Sequence, residues 1–92
     1  MASIRGIVTG SLGERVWNAT VVLRPLDGQG RSVRFGLANG NGEFQIDNVA
    51  VGRYVVTATH RFYIMFATEM DITRDEVITI PLSPNLSVKR TY

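Results

Sequence analysis

His60 is the only histidine in the 92 residues, and no cysteine accompanies it. A hydrolytic triad would need that imidazole held between an oriented acid and a nucleophile. Serines and threonines are plentiful, yet none stands in a nucleophile motif at a strand-to-helix elbow, so His60 reads as a strand-end surface residue. The lack of cysteine excludes thiol catalysis, and with a single histidine it leaves too few nitrogen and sulfur ligands for a zinc-type site. Glu69, Asp71, Asp75 and Glu76 gather around a polar segment, but their spacing is not that of a calcium loop, and the expectation is a solvated acidic loop. Glu43 and Asp47 would suit glycosidic chemistry only if they faced each other across a cleft, whereas Glu43 is expected to point to solvent beside its strand neighbours. No catalytic residue, metal or cofactor is expected.

The aromatic residues offer binding rather than reaction. Trp17 lies just before a strand-like run, where a flat ring could stack against a sugar together with Tyr63, which makes a polysaccharide one possible ligand. Phe62, Tyr63, Ile64, Met65 and Phe66 form an apolar run without clean alternation. A domain of this size cannot bury both faces of such a run, so something must cover it: a neighbouring domain, a second copy of the chain, or a strand added at an open sheet edge. Protein contact is the preferred use of these five residues. The glycines at 40, 42 and 52 could turn amides toward an anion, but phosphate-cradling loops need a strand, a glycine loop and a helix N-terminus in that order. With Asn39, they read as turn formers. Asn18-Ala19-Thr20 and Asn85-Leu86-Ser87 match the glycosylation sequon, a pattern short enough to arise by chance.

These residues must be positioned by a single small domain. Of the chain, 45% is hydrophobic and 20% charged, as in folded soluble proteins. With no disulfide available, stability must come from packing, within the domain or against neighbours. The formal charge is +2 and the arginines are dispersed, apart from a short Lys89-Arg90 pair, so nucleic acid is not an expected partner. Met1 to Thr9 lacks a signal-peptide core, and the longest apolar run is far too short to cross a bilayer, so no membrane insertion is expected. The compartment is not legible from these features.

Alternation of apolar and polar residues marks strands along most of the chain. Residues 3 to 9 set Ile4, Gly6 and Val8 against Arg5, Ile7 and Thr9. Residues 18 to 24 set Ala19, Val21 and Leu23 against Thr20, Val22 and Arg24, stopped by Pro25. An Asp27-Gly28 turn should join this strand as a hairpin to residues 31 to 38, where Val33, Phe35 and Leu37 oppose Ser32 and Arg34. Asn39 to Gly42 reads as a tight hairpin turn into a strand carrying Phe44 and Ile46 inward. A turn at Gly52 then delivers Tyr54 to the core, on a run where Tyr54, Val56 and Ala58 face one way and Val55, Thr57 and Thr59 the other. The last run, 76 to 82, offers Ile78, Ile80 and Leu82. No segment shows helical periodicity, and the expectation is an all-β, small antiparallel sandwich of seven strands with an expected core of Val21, Leu23, Phe44, Ile46, Tyr54 and Val56. Residues 1 to 82 form the domain in this reading, and 83 to 92 a tail or linker.

Four pieces in register carry a resemblance. GIVTG at 6 to 10, ERVWNATVVL at 14 to 23, ANGNGEF at 38 to 44 and NVAVGRY at 48 to 54 resemble the carboxypeptidase regulatory-like domains of the transthyretin-like, or prealbumin-like, superfamily. Those domains show Gly-x-Val, a Val leading into an Ala-x-Val strand, Thr-Asp-x-x-Gly-x-Phe, and a loop ending Pro-Gly-x-Tyr. Val16 with Ala19, Val21 and Leu23 fits the second piece, Asn39, Gly42 and Phe44 the third, and Gly52 and Tyr54 the fourth. Asn39 stands where the family usually has Asp, Val51 where it has Pro, and His60-Arg61-Phe62-Tyr63 where it commonly runs through a Gly-Tyr pair. The resemblance covers about residues 4 to 60. It implies transthyretin-like Greek-key topology, no catalytic set, a role as a folding, spacing or docking module, and a plausible extracytoplasmic or cell-surface setting.

Overall fold

The computed structural model describes residues 1–26 and 32–85. Seven strands run through them: β1 (Ala2–Thr9), β2 (Thr20–Pro25), β3 (Arg34–Leu37), β4 (Glu43–Val49), β5 (Gly52–His60), β6 (Tyr63–Ile72) and β7 (Glu76–Pro81). They form a two-sheet sandwich, one sheet in the order β4-β1-β7 and the other β3-β2-β5-β6. No helix in the described residues is long and apolar enough to cross a membrane. The fold is the all-β, Greek-key class of seven-stranded sandwich expected from the sequence, with one difference in pairing. β1 and β7 run parallel, Ile4 opposite Glu76 through Thr9 opposite Pro81. A parallel pair needs a long crossover, and the five strands between β1 and β7 supply it.

Alternation places the core between the sheets. Ile4 and Val8 from β1, Val21 and Leu23 from β2, Phe44 and Ile46 from β4, Tyr54 and Val56 from β5, and Ile80 from β7 are all buried. No polar or charged residue is buried with them among the described residues. The Tyr54 hydroxyl stays satisfied because it donates to the Ala50 carbonyl at 2.6 Å, tying the start of β5 to the connection that precedes it.

The chain passes between the sheets at four connections and turns within a sheet at only two. β2 with β3, and β5 with β6, are antiparallel neighbours. The Asp27-Gly28 turn expected between β2 and β3 lies outside the described residues. The Asn39–Gly42 turn does not close a hairpin, because β3 and β4 belong to different sheets. Asn39 organises that crossing. Its Oδ1 accepts the N–H groups of Asn41 and Glu43, both at 2.9 Å, and its carbonyl accepts the Gly42 N–H at 2.9 Å. Gly42 has φ +73° and its backbone lies against Val8 and Val16, so a side chain there would be both strained and crowded. Gly52, at φ 150°, occupies a conformation open mainly to glycine where the chain crosses back. Gly40 has no positive φ, and a Cβ there would meet nothing within 4 Å.

β6 is longer than its sequence pattern indicates. Glu69 and Asp71, read as part of an acidic loop, lie within the strand, and the bend falls after Ile72. Alternation fails at its start because of a bulge. Ala58 pairs with Phe66 and His60 with Tyr63, which leaves Ile64 and Met65 together opposite Thr59.

Candidate interaction surface

The end of the sandwich where the chain passes from β1 to β2 brings Trp17, Phe62 and Tyr63 together. Residues 10 to 18 are pinned by three backbone bonds: Gly10 N–H to Glu14 O, Val16 N–H to Val8 O, and Asn18 N–H to Ala38 O. The clamp buries Val16 and leaves its neighbour Trp17 65% exposed. Asn18 takes φ 67°, a conformation Asn tolerates better than most residues. Trp17 lines a groove of about 350 Å³ with Arg15, Val16, His60, Phe62, Tyr63 and Pro84. Trp17 and Tyr63, the two residues read as stacking surfaces, therefore share one groove.

Their availability differs. Tyr63 packs against the core, and its hydroxyl donates to the Glu14 carboxylate at 3.0 Å. Hydrogen bonds from the Glu14 backbone N–H, the Tyr63 hydroxyl and the Leu12 N–H hold the Glu14 carboxyl below its ordinary range. Partial desolvation, with the Glu14 carboxylate beside it, pushes the Tyr63 phenol up. His60 packs edge-on against Tyr63 at 5.2 Å and tilted against Phe62 at 5.8 Å, and Arg61 lies 5.0 Å over the Phe62 ring. The His60 Nδ1 accepts the Phe62 N–H at 3.2 Å, a turn contact rather than a link to a nucleophile.

The carboxylates disperse into separate roles. Glu43 and Asp47 are four residues apart on one outward row of β4, about 13 Å along the strand, too far for a glycosidic pair. The Asp47 carboxyl is lowered by bonds from the Gln45 amide and the Ser3 hydroxyl. Glu69 and Asp71 face Arg53 at 3.8 and 3.3 Å, and Asp75 accepts the Ser3 N–H at 2.9 Å. Among the described residues, no three His, Asp or Glu side chains form a group that could hold a metal ion.

Of the run from 62 to 66, Phe66 and Tyr63 pack against the core, while Phe62, Ile64 and Met65 are exposed. The bulge accounts for both exposed side chains in the middle of the run. A second apolar surface was not singled out in the sequence. Phe35 and Leu37 on β3, with Val33 just before it, point away from the core, and Phe35 is 66% exposed. The inward position on β3 belongs to Gly36, whose lack of a side chain lets the strand lie over Ile46 and the Gln45 carbonyl of β4. Alternation identified the apolar row of β3 correctly but could not reveal that the row faces out. The signal available was that the opposite row holds only Arg34 and Gly36, neither able to fill a core.

The architecture defines a two-sheet, all-β sandwich domain. A family model described as carboxypeptidase regulatory-like domain matches residues 3–83, and the chain belongs to that family. Comparison with curated protein sequences gives no match. Among solved structures, the chain is similar to a chain of a type II cohesin–X-dockerin complex from Acetivibrio cellulolyticus, at 18% identity and TM-score 0.73 over 91% of this chain and 58% of that one. It is also similar to BcpA, the major pilin subunit of Bacillus cereus, at 17% identity and TM-score 0.71 over 91% of this chain and 30% of that one. A DUF3823 family protein from Parabacteroides merdae gives 12% identity and TM-score 0.70 over 90% of this chain and 46% of that one. At such identities the likeness concerns the fold. This chain spans less than two thirds of each of these structures.

Proposed function

We propose that the chain is a non-catalytic accessory or structural domain that mediates protein contact, spacing or stabilisation within a larger protein or assembly. The observation that carries this reading is the exposed apolar surface on the β3-β2-β5-β6 sheet, including Phe35, Leu37, Ile64 and Met65. Large apolar side chains left exposed at both edges of one sheet face, on β3 and β6, mark that face as an interaction site. The contact expected at Phe62 to Phe66 is kept for Phe62, Ile64 and Met65, since the other two side chains are engaged in folding. Family membership supports a role without chemistry of its own. Similarity to a cohesin–X-dockerin complex and to a pilin subunit supports a partner that is protein, and a cell-surface or otherwise extracytoplasmic setting.

A carbohydrate-binding module is the second reading, favoured by the groove that Trp17 and Tyr63 share. Trp17 is the only tryptophan, so its fluorescence reports on that groove alone. In a titration with a panel of polysaccharides, the protein-contact reading expects unchanged Trp17 emission for every sugar. A sugar that shifts the emission, and whose retention is abolished by Trp17→Ala, would replace that reading with the second one.

A further inference from the structure

The two outer faces of the sandwich differ in character. On the three-stranded sheet, Ser3, Arg5, Glu43, Gln45 and Asp47 give a polar face, with Ile7 and Val77 as its main apolar exceptions. On the four-stranded sheet, cross-strand pairing sets out three outward rows, since directly paired residues share a face. The middle row reads Phe35, Val22, Thr57, Ala67 from β3 to β6. On one side lies Leu37, Thr20, Thr59, ending at the bulged Ile64 and Met65. On the other lies Arg24, Val55, Glu69. Along the middle row the side chains run from the bulkiest at Phe35 to the smallest at Ala67. The middle row therefore stands high at Phe35 and dips at Thr57 and Ala67, between the Ile64-Met65 bulge and Glu69 on β6.

A half-turn about an axis parallel to the strands and passing between β2 and β5 brings two such faces together. It lays β3 over β6 of the second copy and β2 over β5, and returns every row onto itself in reverse. Phe35 then covers Ala67 of the second copy, Leu37 covers its Ile64-Met65 bulge, and Arg24 lies one strand spacing, about 4.8 Å, to the side of its Glu69. Bulk meets a hollow at Phe35, apolar meets apolar at Leu37, and Arg24 comes beside a carboxylate that also faces Arg53 of its own chain. Sheets stack in this aligned manner in ordinary sandwiches.

We infer that the outer face of the β3-β2-β5-β6 sheet docks a second copy of this chain, with Phe35 of each copy seated in the Thr57-Ala67 trough of the other. The inference rests on the protein-contact reading and names its partner. Four strands and three rows span roughly 15–20 Å each way, a few hundred Å² per copy, against about 800 Å² per partner in a stable complex. The dimer is accordingly weak and concentration-dependent, with Phe35 as its anchor.

Sedimentation of the whole chain over a concentration series tests this. The expected result is a mass that rises with concentration, about tenfold weaker association for Phe35→Ala and for Ala67→Phe, and recovery in the double variant, where bulk and hollow have exchanged places. Because the chain has no cysteine, a mixture of Phe35→Cys and Ala67→Cys should cross-link, while neither alone should do so efficiently. Both positions are on the outer face, and circular dichroism verifies that each variant folds. A chain that stays monomeric at its highest soluble concentration overturns the inference, as does a double variant no better than the singles, or an Ala67→Cys variant that cross-links to itself in preference to Phe35→Cys. Those outcomes leave a different protein partner open. Polysaccharide binding at Trp17, measured separately by its fluorescence, would instead remove the contact reading on which the inference rests.

Discussion

Gly40 and Gly42 stand two residues apart in one turn, and their backbones make opposite demands. Gly42 lies at φ +73° with Val8 O 2.8 Å from where a Cβ would sit, whereas Gly40 has open space around it. Gly42→Val should cost about 3 kcal/mol, and Gly40→Ala should stay within about 0.5 kcal/mol, as read from denaturant unfolding. Equal stability of the two variants would contradict the account of the crossing. A second residue-scale expectation concerns pH. Glu14 is held below its ordinary value of 4.5 in the folded chain, so its contribution to stability is present above that value and is lost as pH falls through the lower folded value. Tyr63 is held above its ordinary 10.0, so the hydroxyl-to-carboxylate bond is fully present below that value and is lost as pH rises through the higher folded one. The bond should therefore operate across the whole neutral range. Tyr63→Phe should make the acid loss of stability less steep, and melting temperatures between about pH 3 and 7 would measure it. An unchanged slope would mean the pair does not couple.

At the scale of elements, β6 separates what its side chains do for folding from what they offer to a partner. Phe66 packs against the core, and Met65, next to it in the bulge, is 59% exposed. Phe66→Ala should destabilise by about 2 kcal/mol, less than a fully buried phenylalanine, while Met65→Thr should change stability by less than about 0.5 kcal/mol. Chemical denaturation distinguishes these, and a costly Met65→Thr would place that side chain in the core instead. The same strand explains which parts of the fold were legible in the sequence. β2, β4 and β5 could be read because each has one strongly apolar row and one polar row, so sharing a face and facing the core amount to the same statement. β3 defeats that equivalence: its apolar row is outside, and a glycine fills the inward position because β4 crosses close beneath it. The bulge hid β6, since one extra residue breaks the period on which strand reading depends. The Trp17-Tyr63 groove was half legible, as two aromatics paired as stacking surfaces without the walls around them. Most of its other members are their sequence neighbours, Arg15, Val16, His60 and Phe62, while Pro84 comes from a third segment, and only the winding brings the three segments together.

For the molecule as a whole, the seam between the two sheets matters most where the chain leaves β7. Leu82 is still bonded to β1, donating its N–H to Thr9 O at 2.7 Å. One residue later the chain has joined the other sheet. Ser83 O accepts the Ile64 N–H at 2.8 Å, Asn85 N–H donates to Phe62 O at 3.0 Å, and Tyr63 bridges to Pro84. The segment that reads in sequence as the start of a tail thus covers the first residues of the β6 edge and forms a wall of the Trp17 groove through Pro84. An uncovered edge invites pairing with other chains, so this short cover also limits where a partner can add a strand. A chain ending at Asn85 should be more stable than one ending at Leu82 by about 2 kcal/mol, roughly the value of two backbone hydrogen bonds. The local signature is specific. In the chain ending at Leu82 the Ile64 amide should lose its protection from hydrogen exchange, while amides at the centre of β5 keep theirs relative to global unfolding. If both chains melt alike and the Ile64 amide exchanges equally slowly in each, residues 83–85 are not closing the sandwich, and its boundary belongs at the end of β7.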